Sequence, residues 1–369
     1  MKLMKTTEAV GQVLCHDITQ IIPGVKKDAV FRKGHIITKE DIPVLLSVGK
    51  DTIYIWENDE TMMHENEAAE VLYRMSACGT NSNEADAEGH CEAAESGAFG
   101  GTASKMHPSP VKEGKIEVIA DCDGLLKVDS KKLKKVNSFG EMMIATRHGN
   151  TTVKKGDKLA GTRIIPLVIK KDKLEAASHI CDDGPILDIK PFVVRKAAII
   201  TTGNEVYHGR IQDAFTPVIE KKIAEFGAHM MFHEVFDDDD QKITDGCLRA
   251  IEAGAEIVFC TGGMSVDPDD KTPLAIKNTG ARIVSYGSPV LPGAMFLLSY
   301  YDAGDRLVPI CGLPGCAMYN KRTIFDIVLP RLMACDMILA DELAGLGEGG
   351  LCLNCDVCTF PNCGFGKGF

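Results

Sequence analysis

Two sets of residues in this sequence have types and spacings that could do chemistry. Near the C-terminal end, "CLNCDVCTFPNC" places Cys352, Cys355, Cys358 and Cys363 with two, two and four residues between them. Thiols so close together do not readily pair off as strain-free disulfides, but they can wrap one tetrahedral Zn2+ or an iron–sulfur cluster. The second set lies where apolar runs stop: "TTGNE" at 201–205, "FDDDD" at 236–240, "TGGMSVDPDD" at 261–270 and "CGLPGC" at 311–316. Gly203, Gly262, Gly263, Gly312 and Gly315 would let backbone N–H groups approach a ligand closely. Such donors at helix starts favour anions, by about 0.3–1 kcal/mol each. Glu205, Asp239, Asp240, Asp269 and Asp270 would repel the same anion unless a divalent cation sat between, and oxygen-rich sets suit Mg2+.

Each feature also has a plainer reading. Glycine after a strand is ordinary turn chemistry, and acidic residues in a first helical turn help any helix. What joins the junctions is their setting. "KAAIITTG" reads as a buried strand and "PVIEKKIAEFG" as a helix with Ile219, Ile223 and Phe226 on one face and Gly227 closing it. "AHMMFHEVF" is the next strand; a stripe of Ile243, Cys247, Leu248 and Ile251 marks the next helix, and "EIVFCTG" the strand after that. "AMYNKRTIFDIVLPRLM" reads as a helix following the last junction. Alternation of this kind implies an α/β fold with parallel strands buried on both faces, its loops gathered at the strand C-terminal edge where ligands bind.

The chain has 369 residues, enough for two or three domains of roughly 150 residues. Residues 1–75 read as an α+β segment, with a helix capped by Thr38 and stopped by Gly49 and a strand at Thr52–Trp56. Residues 76–112 turn to Gly, Ser, Ala, Glu and Asn, the composition of a flexible insert. Short apolar runs between Gly and Asp make 113–192 β-rich; 193–337 is the α/β domain and 338–369 a Cys-rich metal-binding tail, tethered through the glycines of "DELAGLGEGG". A net charge of −11 disfavours generic nucleic-acid binding. Nowhere do ~18 consecutive apolar residues occur and no apolar run follows Lys2 and Lys5, so a cytoplasmic protein without a membrane span is expected. Its 14 cysteines are accordingly expected as thiols or metal ligands, with Cys15, Cys247 and Cys260 buried in apolar patterns.

The four junctions, with "PGAMF" ahead of the last, resemble in order and spacing the molybdopterin-binding domain of molybdopterin molybdenumtransferases over about 193–336. "TEAVGQVLCHDI" and "FRKGHIITKEDIPVLLSVGKDTIYI" resemble a shortened N-terminal region of that family. The resemblance implies a three-layer α/β molybdopterin-binding domain with a β-rich N-terminal region. It implies a site for molybdopterin or its adenylylated form, where molybdate joins the dithiolene and the nucleotide is cleaved with Mg2+. By motif, Glu205, Asp239 and Asp270 match acidic active-site residues, and Thr202, Gly203, Gly262, Gly263, Ser265, Gly312, Pro314 and Gly315 match ligand loops. A homodimer, and a molybdoenzyme or cofactor-biosynthesis partner, are implied in the same way.

Two departures bear on activity. The family's Ser-Ala-Met-Asp-Gly-type segment is missing, and "YGSPVLPGAMF" stands where two lysines are usual. Cys316 also replaces a usual asparagine. Pterin binding is therefore better supported than metal insertion, which needs positive charge near the dithiolene that Lys271 or Arg322 would have to supply. Two other readings stay open: a non-catalytic molybdopterin carrier or sensor, and an iron–sulfur accessory protein in which the tail, with spacing similar to bacterial ferredoxins, is the working part.

Overall fold

The computed structural model describes residues 2–22, 26–55, 59–78, 105–265, 267 and 270–368. The chain divides into two compact units, one of Met1–Asp121, Val128–Arg147 and Lys155–Asp188, the other of Cys122–Lys127, His148–Lys154 and Ile189–Phe369. The insert expected at 76–112 falls for the most part outside the described residues, between helix Glu65–Ala77 and strand Met106–Pro108. Cys78 is disulfide-bonded, an exception to the expected thiols. No helix among the described residues is long and apolar enough to cross a membrane.

The first unit is made of short strands. Lys2–Lys5 pairs antiparallel with Thr52–Ile55, and Leu14, Ile18, Ile37, Leu45, Ile53 and Ile55 form a small core there. The helix expected from Thr38 begins at Asp41 instead. The reason is local: the Asp41 carboxylate accepts the Thr38 N–H (2.8 Å) and hydroxyl (2.9 Å), so the threonine is held outside the helix. Further on, Met106–Pro108, Lys115–Ala120, Lys158–Ile164 and Met142–Thr146 form an antiparallel sheet in that order.

The second unit carries a six-stranded sheet. Its strands in chain order are β1 (Lys196–Thr202), β2 (His229–Phe236), β3 (Ile257–Thr261), β4 (Arg282–Tyr286), β5 (Leu297–Asp302) and β6 (Leu307–Leu313). They lie in the order β2-β1-β3-β6-β5-β4. The first four are mutually parallel, while β5 and β4 complete the sheet antiparallel. Its helices include α1 (Asn204–Tyr207), α2 (Thr216–Ala224), α3 (Asp240–Glu252), α4 (Thr272–Asn278) and α5 (Ile324–Met333).

Successive residues of β1 enter different cores, as the two-residue period of a strand requires. Ala197 and Ile199 pack with Ile219 and Ile223 of α2 and Phe325 of α5. Ala198 and Ile200 pack with Ile243 and Cys247 of α3 and Ala275 and Ile276 of α4. Helices thus cover both faces of the sheet, giving the three-layer α/β arrangement. Cys15, Cys247 and Cys260 are buried thiols, as their apolar settings predict.

Two elements differ from the sequence pattern. The helix expected over 317–333 is a 3₁₀ turn, Gly315–Met318, followed separately by α5. Thr323 and Asp326 make a capping box that starts the helix afresh at Ile324. The tail is packed rather than tethered: Leu351 bridges to Leu291, and Phe365 is buried in the core that holds Phe325.

Behind α5, Asp336 is buried among cations. It meets Lys127 at 2.8 Å, Lys190 at 2.6 Å and Arg331 at 2.6 Å. Burial opposes its ionisation, but Lys127, Lys190 and Arg331 outweigh that and bring its carboxyl from 3.8 to about 2. The Lys127 pKa is lowered as well, which disfavours its charged form: its own burial is the largest cause, and the charges of Arg331 and Lys190 add to it against the pull of Asp336. The net gain from the network is therefore smaller than the Asp336 shift alone implies. Removing only the carboxylate is a different matter, since buried Arg331 is left with Glu342 and the Met337 carbonyl and half-buried Lys127 with the Asn150 side chain. Asp336→Ala is expected to cost on the order of 3 kcal/mol at neutral pH in urea unfolding. A depressed carboxyl stabilises above its unfolded value, so the deficit should persist down to about pH 4 and vanish as pH falls through about 2. Equal stabilities at pH 7 would contradict this account.

Candidate functional site

Because β2, β1, β3 and β6 run in one direction, the four sequence junctions leave the sheet at one edge. The register makes this concrete: Thr202 stands opposite Phe236, Thr201 opposite Thr261, and Thr261 opposite Leu313. Neighbouring strands lie about 4.8 Å apart, so the outer two junctions are on the order of 15 Å from each other. Gly203, Asp239, Gly262 and Gly315 consequently border a single sheet edge.

At the end of β1, Gly203 has φ +129° and donates its N–H to Phe236 O (3.2 Å). Glu205 is exposed in the first turn of α1, with a carboxylate oxygen 3.0 Å from where a Cβ at 203 would stand. The "DDDD" run has four separate uses. Asp237 pairs with Lys242 (2.8 Å), and Asp238 accepts the Asn204 N–H (3.2 Å). Asp239 caps α3 by accepting the N–H groups of Gln241 (3.0 Å) and Lys242 (3.1 Å), while Asp240 accepts from Asn278 (3.1 Å).

The loop after β3 is fastened by threonines. The Thr202 hydroxyl donates to Thr261 O (3.1 Å) and lies 3.0 Å from the Thr272 hydroxyl, which donates to Gly262 O (2.9 Å). A Cβ on Gly262 would stand 2.1 Å from Thr202 O, and one on Gly263 2.8 Å from the Thr272 hydroxyl; both glycines have positive φ. Ser265 is exposed, and Asp270 is half-buried with its N–H donating to Asp267 O (3.0 Å). Asp269 lies outside the described residues. Tyr286 donates its hydroxyl to Met264 O (3.1 Å); burial first, then the charge of Asp270, pushes its phenol pKa up.

On β6, Gly312 is inside the strand, where a Cβ would overlap Met264 at 2.5 Å. Pro314 is buried, whereas Gly315 is exposed and a Cβ there would meet nothing within 4 Å. Of the glycines matched by motif, Gly312 makes room for a methionine and Gly315 offers open backbone.

The edge brings the loops together without collecting their acids. Among the described residues no three His, Cys, Asp or Glu side chains gather as a metal-holding group, so Glu205, Asp239 and Asp270 do not form one cluster. The same holds for Cys352 and Cys363, both half-buried, and Cys355 and Cys358, both exposed. Two buried polar atoms on the edge have no hydrogen-bond partner among the described residues: the Thr261 hydroxyl and one Asp237 carboxylate oxygen.

Sequence reasoning missed two groups. Thr272, buried beneath the β3 loop, is marked only by the Thr-Pro start of α4. Asp213 accepts from the hydroxyls of Thr201 (2.9 Å) and Thr216 (2.6 Å) and the N–H of Phe215 (2.8 Å), with the His233 ring 3.6 Å away. Burial works against its charge, but bonds from Thr216, Thr201 and Phe215 hold its carboxyl below the usual range. Nothing in the run "RIQDAFT" announces that this aspartate turns inward.

Residues 198–334 match the family described as "Probable molybdopterin binding domain", and residues 3–57 match a family described as a domain of unknown function. A "Molybdopterin adenylyltransferase" of Pyrococcus furiosus is 26% identical over 131 residues, 32% of this chain and 77% of that protein. A "Molybdopterin molybdenumtransferase" of Nostoc is 23% identical over 197 residues, 52% of this chain and 42% of that protein. The chain spans only 21% of a "Putative competence-damage inducible protein" of Bacillus velezensis, at 29% identity over 90 residues. Among solved structures, the tungsten cofactor synthesizing protein MoaB from Pyrococcus furiosus aligns at 18% identity and a TM-score of 0.30, covering 38% of this chain and 88% of that one. Residues 198–334, which contain all four junctions, belong to the family of molybdopterin-binding domains.

Proposed function

We propose that the C-terminal edge of the parallel strands binds molybdopterin through its phosphate or adenylylated phosphate and inserts molybdenum into it. The observation that carries this reading is the convergence of four glycine- and aspartate-bearing junctions on one edge. Exposed backbone at Gly315 and half-buried backbone at Gly263, with exposed Ser265, would take the phosphate oxygens, while buried Gly203 and Thr202, whose N–H and hydroxyl are donated to Phe236 O and Thr261 O, would shape the floor beneath them. The orphaned Thr261 hydroxyl and Asp237 oxygen are the kind of buried atoms that a polar ligand satisfies.

The acids fit Mg2+ held jointly with substrate. Mg2+ is ordinarily bound by one or two carboxylates plus phosphate oxygens and waters, so an edge where three acids stay apart suits it better than a closed protein cage would. One or two of Glu205, Asp239 and Asp270 would hold it together with the substrate's oxygens; when bound it offsets charge at the phosphate being cleaved. Asp270 and Glu205 also orient water toward that phosphorus. Arg322 is committed to Asp326 (2.9 Å), so the cation assigned to the molybdate oxyanion is Lys271, half-buried at the start of α4.

A second reading, a carrier that holds the finished cofactor without turnover, is favoured by the missing lysines before β5 and the separated acids. Anaerobic incubation with adenylylated molybdopterin, Mg2+ and molybdate distinguishes the two: binding with nucleotide release supports the transferase, binding alone the carrier, and no binding overturns both.

Substitutions refine the test. Gly315→Ala should leave the melting temperature unchanged, since its methyl meets open space, while weakening pterin binding about tenfold in a titration. Gly262→Ala should lower stability itself, by about 1–3 kcal/mol, through the clash with Thr202 O and the positive φ. Asn caps helices as well as Asp does. Asp239→Asn should therefore keep α3 and pterin affinity but slow nucleotide release at least about tenfold. Parallel losses of affinity and release in that variant would contradict the role given to Asp239.

A further inference from the structure

We propose that Cys352, Cys355, Cys358 and Cys363 form a four-thiolate metal site, for Zn2+ or an iron–sulfur cluster, built against the connection between β6 and α5. This goes beyond the pterin reading and does not rest on it. The spacing supplies the ligands, and the fold supplies the frame. Cys352 donates its N–H to Leu291 O (2.8 Å) beside the Leu291–Leu351 bridge, so the first cysteine is fixed. Cys352, Phe360 and Cys363 pack against one core cluster, in which Phe365 is buried. The first and last cysteines are thus held at a common wall, with Cys355 and Cys358 on the exposed arc between them.

The connection that follows Gly315 grips this arc. Lys321 donates to the carbonyls of Asp356 (3.2 Å) and Cys355 (3.5 Å). Arg322 lies over the Phe360 ring at 5.0 Å. Within the arc Asn362 donates its N–H to Thr359 O (2.7 Å), and Asn354 takes the left-handed conformation at φ +50°. A divalent ion with four thiolates carries a net charge of about −2, and Lys321 and Arg322 are two cations placed to offset it.

The sulfurs are not gathered in this conformation. Cys355 and Cys358 are exposed, so closing the site calls on the arc that carries them and not on the buried core. Each thiol gives its proton to solvent on ligation, so binding needs no oxidant or reductant. A [4Fe–4S]2+ cluster on the same four thiolates would be assembled from two ferrous and two ferric ions with four inorganic sulfides, which balances without an added oxidant or reductant.

Full-length protein prepared anaerobically and titrated with Co2+ tests the site. Thiolate-to-metal charge-transfer absorption should rise to a plateau at about one ion per chain and be displaced by Zn2+. Cys355→Ser and Cys358→Ser should each weaken binding at least about tenfold. Cys335→Ser, an exposed cysteine outside the tail, should leave it intact. Unchanged melting curves of the metal-free variants show that folding is not the cause. In protein as isolated, zinc near one per chain, or iron with matching acid-labile sulfide, identifies the occupant, and either sustains the site. Absence of the charge-transfer band, or a band indifferent to Cys355→Ser and Cys358→Ser, overturns it.

Discussion

Parallel pairing of strands buried on both faces is the constraint from which the rest of this structure follows. A strand such as β1, with Ala197 and Ile199 in one core and Ala198 and Ile200 in the other, has no polar face on which a connection could begin. The chain must cross from one edge of the sheet to the other through a helix before it can pair again in the same direction. Every such crossing starts at the same edge. Four starts therefore crowd together, each with backbone groups that the sheet no longer satisfies and that need other acceptors, as Asp238 gives to the Asn204 N–H and Asp239 to those of Gln241 and Lys242.

Crowding at that edge explains why some glycines are there at all. Strands β1 and β3 are neighbours, and as β3 ends its chain passes directly over the end of β1. A side chain at 262 would run into Thr202 O, so the position is closed to anything but glycine whether or not a ligand is ever bound. Gly312 likewise yields its volume to Met264. At Gly315 the fold asks for nothing, since no atom lies near and its φ is not in the left-handed region. One motif-level pattern thus contains glycines fixed by packing and glycines left free for a ligand, and only the packing separates them.

The order of strands and helices in the second unit was legible in the sequence because burial on both faces leaves a plain trace: apolar runs such as "KAAIITT" and "IVFCT" alternate with stripes at helical spacing. Convergence of the junctions followed from that order. Less legible was whatever depends on contacts between distant residues. Thr272 fastens the β3 loop from beyond its far end, and Asp213 turns toward Thr201 and Thr216 from a polar stretch that reads as solvent-facing. The tail misled in the opposite sense. Its glycines suggested a tether, yet Gly366 sits where any Cβ would strike Ile327 at 2.5 Å, and so marks close packing. Glycine content signals either freedom or tight approach, and local composition does not say which.

The connection from Pro314 to Thr323 joins the sheet edge to the tail. Its first residues present Gly315 at the edge; its last, Lys321 and Arg322, hold the arc of Cys355–Phe360. The far end is immobile, because buried Asp326 accepts the Thr323 N–H at 2.8 Å and pairs with both Arg322 and Lys222. The near end is fixed by β6. Any rearrangement of the tail that draws on Lys321 or Arg322 can be absorbed only between those two anchors, in the 3₁₀ turn Gly315–Met318 and the few residues after it.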